Sequence, residues 1–283
     1  MLVLEPASDD APCPRVGIFD DAVPSAAAFA TVHRTVEGRQ AQVRDAIRVS
    51  VSGALSRVDY EAPMDVDITY RVQWFDSAGD DLGFSEPATT RIISPRFLDG
   101  RPRLLLHNPL DPRTAVWVHP GRGFAQSISR PVPGRVVWGQ GRRLGIAQSE
   151  RRRGLIGVSL DVVTDTAQEA ARFDALFGDS TTSRMPILCV RIPAALRFTL
   201  LDPVWFAAVY EPVAIPDTAM WTEEVAWRMR ADEVDSPVPS LVRPLLTLGD
   251  IAAYYPTLGA LAADNPTLLA LSRRYEIAGS GGS

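Results

Sequence analysis

Short strands broken by glycine, proline and aspartate fill residues 26–94, and no convincing helical period interrupts them. The clearest run is DITYRVQWF. Ile68, Tyr70, Val72 and Trp74 alternate there with Thr69, Arg71, Gln73 and Phe75. A period of two in β-branched and aromatic residues describes a strand with one face on a core. SAGDDLG then supplies a turn. Earlier, Thr31, His33 and Thr35 alternate with Val32, Arg34 and Val36, and IRVSVSGAL sets Ile47, Val49 and Val51 on one face. This spacing predicts a β-sandwich over 26–94. Residues 1–25, rich in Pro, Asp and Ala, read as an extended lead-in.

SPRFLDGRP (94–102) marks a boundary, and 95–235 reads as a second β domain. Strands are expected in RLLLHN, TAVWVHP, GRVVWGQ, LIGVSLDVV, MPILCVRIP, VWFAAVYEPVAI and EEVAWRMRADEV. One helix stands out in TAQEAARFDALFG. Thr166 followed by Glu169 is a capping box, Gly178 is placed to end the helix, and Ala170, Phe173 and Phe177 (or Leu176) form its apolar face. The fold class is therefore mainly β: a sandwich plus an antiparallel sheet or barrel carrying one helix.

DSPVPSLVRP begins a linker (236–246), and 277–283 is a flexible tail. Between them, 247–276 repeats in tens: TLGDIAAYYP, TLGALAADNP, TLLALSRRYE. A Thr after Pro256 or Pro266 is a natural N-cap, and the closing Pro stops the preceding helix. Each unit predicts a helix of about two turns. Leu248 with Ile251, Leu258 with Leu261 and Leu268 with Leu271 give each helix an apolar edge. Helices so short are marginal alone, so these six residues are expected to dock on a partner surface.

Candidates for chemistry are few. All 29 basic side chains are Arg, which excludes a lysine base, a Schiff base and a P-loop lysine, and points to a GC-rich genome. The net charge of −5 argues against binding nucleic acid by phosphate neutralisation. No apolar run is long enough to span a membrane, and MLVLEPASDDAPCP lacks the basic start and apolar stretch of a secretory signal. Cys13 and Cys189 do not form a disulfide framework. His107 and His119, with Asp111 between them, could face each other across a hairpin, but the spacing supplies no further metal ligand. His107 with Asp111 is the best pair for a hydrolase. GQGRRLG has its third Gly one residue late for a dinucleotide fingerprint and reads as a turn between strands. Arg151, Arg152 and Arg153 are either simply solvated or in contact with an acidic neighbouring subunit. The Trp residues fit core packing, with Trp117 or Trp138 open to use as a platform. No catalytic, cofactor-binding or metal residue is expected.

Three segments carry a resemblance. RTVEGRQAQVRDA with VDYEAPMDVDITYRVQWFDSAG is similar to the fibronectin type III-like domain of minor tail proteins from siphophages of actinobacteria. LLLHNPLDPRTAVWV resembles the passage that follows in them. The Thr-Leu decamers look like the T-[WYL]-x-D-[LIV] repeats that close such chains. Here Leu replaces the usual aromatic, and only Thr247–Ile251 keeps the acidic fourth residue. The resemblance implies a distal-tail (tail-tip) structural protein of the virion, assembled in the host cytoplasm, forming a ring of typically six copies. Its partners would be itself and the neighbouring tail-tube and tail-tip proteins, with no nucleic acid, membrane insertion, cofactor or catalysis. A carbohydrate- or cell-surface-binding β module is the alternative.

Overall fold

A computed structural model describes residues 1–8, 13–94, 97–98, 100–178, 184–196, 198–216, 223–237, 251–252, 254–265, 267 and 271. The chain is mainly β and forms two compact units. One takes in residues 1–94, Leu110–Arg113 and the described residues from Pro237 on; the other takes in Pro95–Pro109 and Thr114–Ser236.

The first unit is a sandwich. Its strands are β1 (Val3–Ala7), β2 (Arg15–Asp20), β3 (Phe29–Val36), β4 (Arg39–Gln42), β5 (Val49–Ser50), β6 (Leu55–Asp59), β7 (Asp67–Phe75), β8 (Asp81–Phe84) and β9 (Ala88–Arg91). One sheet runs β1-β2-β6; the other runs β4-β3-β7-β8, with β5 on β3 and β9 on β7. The alternation in β7 works as its side chains dictate: Ile68, Tyr70, Val72 and Trp74 are buried. Each such burial contributes roughly 1.5–3 kcal/mol.

Two local expectations fail. Residues expected as an extended lead-in form β1 and β2, with β2 pairing β1 and β6, and Val16 and Ile18 of β2 are fully buried. IRVSVSGAL is not one strand. Arg44–Ala46 is a 3-10 turn and only Val49–Ser50 pairs. Arg48 adopts φ 51°, a left-handed value that breaks an extended path. Its N–H donates to Thr31 Oγ1 and its guanidinium lies 3.5 Å from the Phe75 ring centroid.

A buried charge network fastens this unit. Arg34 donates to both oxygens of Asp59 at 3.0 and 2.9 Å and to the Glu61 carbonyl at 2.8 Å. The Tyr70 hydroxyl and the Glu61 N–H also donate to Asp59. Arg44 Nε donates to Glu61 Oε1 at 2.6 Å. Burial pushes the Glu61 carboxyl above its ordinary range, against the pull of Arg44. Burial would lower the Arg34 guanidinium, but the Asp59 carboxylate outweighs it and holds Arg34 charged.

The second unit holds β10 (Phe97–Leu98), β11 (Arg101–Pro102), β12 (Leu104–Asn108), all but the first three residues of β13 (Asp111–Pro120), β14 (Gly134–Val137), β15 (Ile146–Ser149), β16 (Val158–Ser159), β17 (Val162–Thr164), α1 (Ala167–Asp174), β18 (Ile187–Arg191), β19 (Val204–Val209), β20 (Val213–Pro216), β21 (Val225–Arg228) and β22 (Arg230–Val234). Nine strands form one antiparallel sheet, β16-β22-β19-β18-β12-β13-β17-β21-β20, which curls as a half-barrel around one apolar cluster. Helix α1 and the 3-10 turn Ala175–Phe177 that follows it plug that cluster with Phe173 and Leu176, both fully buried, while Ala170 and Phe177 pack at its margin. The Phe173 ring lies 4.6 Å from Trp227. The helix starts where its capping residues dictate: Thr166 Oγ1 accepts from Glu169 N at 3.1 Å, and Glu169 reaches back to accept from Asp165 N at 3.0 Å. Gly178, at φ 90°, ends the 3-10 turn that follows.

Candidate interaction surface

The histidines take structural places. His107 is fully buried in β12, opposite Cys189 of β18. Both cysteines are buried, and they form no disulfide with each other. Asp111 accepts from the N–H and Nε of Arg113. His119 lies beside Pro102, whose carbonyl accepts from its Nδ1 at 2.6 Å. Five residues of extended chain, roughly 17 Å, separate Pro102 from His107, so the two histidines do not share a metal. His119 Nε2 is 2.6 Å from Asp165 Oδ2, and Arg101 bridges Asp165 and Glu224 at 2.9 and 2.8 Å. Arg103 pairs with Glu169 at 2.7 Å. This network ties β11 and β13 to the start of α1. Each of these side chains is answered by a neighbour, an arrangement that fixes geometry. Among the described residues, no three His, Cys, Asp or Glu side chains converge on a metal position, and no helix is long and apolar enough to cross a membrane. An open groove holds Asp161, Tyr210, Glu211, Arg228, Arg230 and Asp232, acids and arginines together.

The decamer residues are only partly described. Leu248 and Leu268 lie outside the described residues. The middle unit is a helix, α2 (Leu258–Asp264), with Thr257 Oγ1 accepting from Ala260 N at 3.1 Å. Tyr255 donates to Asp264 at 2.6 Å, and Asn265 donates to the Tyr255 hydroxyl at 2.8 Å, closing the helix against the residue that precedes it. The apolar edge is uneven: Ile251, Leu261 and Leu271 are half-buried, whereas Leu258 is 82% exposed.

An exposed apolar surface of the second unit lies on a ribbon whose sequence reads as a strand and a turn. Among the described residues, strands β14 and β15 pair only with each other. The ladder continues outward from the sheet: Ile156 N donates to Ser129 O, Arg153 N to Pro131 O and Glu150 N to Pro133 O. At the tip, Arg142 N donates to Gly139 O, and Gly141 supplies φ 77° for the turn. Register puts Val136 opposite Ala147 and Arg135 opposite Gln148. One face thus carries Val136, Trp138, Gly145 and Ala147 with no charge, and the other carries Arg135, Val137, Ile146 and Gln148. The Trp138 indole lies over Gly145, where a Cβ would stand 3.2 Å from the ring and collide with Val136 Cγ1. Val136, Trp138, Leu144 and Ile146 are all exposed, Trp138 to 65%. Around them, residues 130–153 hold seven Arg and one Glu. Arg151, Arg152 and Arg153 stand exposed at the ribbon's base, where Arg152 Nε donates to Arg130 O.

No family model matches the chain, and neither a curated protein nor a solved structure shows significant similarity to it.

Proposed function

We propose that this chain is a structural virion protein of a phage tail tip, of the distal-tail or minor-tail type. It joins the tail tube to the tip or receptor-binding apparatus by self-assembling into a ring, and its role is assembly, not catalysis. The observation that supports this reading is the ribbon. A lone two-stranded ribbon is marginal in water, yet this one holds Val136, Trp138, Leu144 and Ile146 in solvent. Such a surface is suited to being covered by another molecule. The three resembling segments name the setting, and the fibronectin type III-like assignment of the sandwich goes with them. The half-barrel unit then serves as the ring-forming body and the sandwich as an accessory domain.

Electron microscopy of the concentrated protein, with its mass measured by light scattering, tests the proposal. Closed rings of about six copies with a central channel are expected. A strict monomer at every concentration overturns the ring. Trp138 supports the second reading, a carbohydrate- or surface-binding module, because an open indole is a ready stacking face. Glycan binding by a monomer, lost in Trp138→Ala, would replace the first reading with the second.

A further inference from the structure

The ribbon has a counterpart in the sandwich with the opposite charge. Strand β15 is entered through Arg142-Arg143-Leu144-Gly145-Ile146, and β8 through Asp80-Asp81-Leu82-Gly83-Phe84. Both segments follow a hairpin turn, and both have two like charges, then leucine, glycine and a large apolar side chain. Only the sign differs. Leu82 and Phe84 are exposed to 39% and 43%, and Leu144 and Ile146 to 70% and 49%. Among the described residues, strand β8 ends its sheet and β15 pairs with β14 alone, so each presents one backbone edge with no strand on it. Residues 76–86 carry Asp76, Asp80, Asp81 and Glu86 and no Arg. Arg48 and Arg71 lie nearby, but over the rings of Phe75 and Phe84.

We propose that the β14–β15 ribbon of one copy docks on the β7–β8 hairpin of a second copy. Edge strand β15 lies beside edge strand β8, with Arg142 and Arg143 against Asp80 and Asp81, and Leu144 and Ile146 against Leu82 and Phe84. Two ribbons cannot serve each other in this way, because seven arginines would face seven. The contact therefore joins unlike surfaces: each copy offers a ribbon and receives one, either reciprocally in a closed pair or head to tail in a ring or filament. The inference rests on the self-assembly part of the proposed function and supplies its contact.

Mass in solution, measured by light scattering across concentration, tests it on the full chain and three variant preparations. Arg142→Glu with Arg143→Glu leaves the fold alone, because both side chains are exposed at the tip. Asp80→Arg spares Asp81, which accepts from Gly83 N. Each variant by itself is expected to raise the dissociation constant by roughly a hundredfold, since like charges then face each other. The two variants mixed should associate again, because each now offers what the other lacks. Association of the unaltered chain should weaken as salt rises. An oligomer that ignores both substitutions, or variants that stay apart when mixed, overturns the contact while leaving the ring reading intact. A monomer at every concentration overturns both. Salt-sensitive filaments that respond to the swap keep the contact and remove the ring.

Discussion

Strand β7 and the β14–β15 ribbon are written in similar residues and put to opposite uses. Both rely on valine, isoleucine and tryptophan separated by arginine and glutamine. In β7 the alternation is strict: Ile68, Tyr70, Val72 and Trp74 point one way, and a second sheet covers them. In the ribbon the apolar residues fall on both faces, and among the described residues no second sheet covers either. Their charges differ in the same sense. Arg34, Asp59, Glu61 and Arg44 are enclosed and answered, while Arg142, Arg143 and Arg151–Arg153 project into solvent. Residues in β7 should thus govern folding, and residues in the ribbon should govern association.

The largest effect that tests this division is at Asp59. Asp59→Ala leaves Arg34 and the Tyr70 hydroxyl without their shared acceptor. Removing one partner of a buried, hydrogen-bonded pair costs about 3–5 kcal/mol. A urea titration of the full chain should show the midpoint of the sandwich transition fall accordingly. An unchanged midpoint would move this network from fastening to ornament.

Next is Ile68→Ala, which opens a cavity beneath a fully buried side chain and should cost about 2–5 kcal/mol in the same titration. The solution mass at a matched folded fraction should not change. A loss of association without a loss of stability would break the comparison, because β7 would then be acting as an interface.

Smaller, and read as a slope, is the effect of pH through Glu61. Its folded-state pKa is raised from the ordinary value of 4.5 by burial. The native state therefore binds its proton more tightly than the unfolded chain does. Stability should decline as pH rises from the ordinary value through the raised one, and then level off. One group limits the slope to about 1.4 kcal/mol per pH unit. Glu61→Gln should flatten that part of the profile, measured as unfolding free energy against pH. A slope that persists in Glu61→Gln would assign it to other groups.

Much of this was legible in the sequence where one element carries its own signals. The period of two in 68–74 gave β7, and the Thr166–Glu169 pair with Gly178 gave α1, because the residues that cap and bury those elements are their own neighbours. The bend at Arg48 was not legible: its left-handed backbone is held by Thr31 and Phe75, which are distant in sequence. Strands β1 and β2 were hidden by the Pro and Asp residues around VGIF, although Val16 and Ile18 carried the alternation. His107 and His119 looked like neighbours across a hairpin, and only the register, with His119 beside Pro102, separates them. The ribbon was half legible. GRVVWGQ reads as a strand and GQGRRLG as a turn, but periodicity reports which residues share a face, never what covers that face.

That last gap makes the smallest expected effect informative. Trp138→Ala removes an indole that rests on Gly145 and Val136 and is otherwise in water. Surface substitutions of this kind shift stability by no more than about 0.5 kcal/mol, so the urea midpoint of the half-barrel unit should barely move. If the ribbon is an assembly element, the same substitution should still weaken association, because an exposed indole on the docking ribbon is the kind of side chain that contributes beyond its share of contact area. A large fall in stability with association intact would mean that the ribbon is a folding element, like β7, and that the contrast between the two regions is one of position alone.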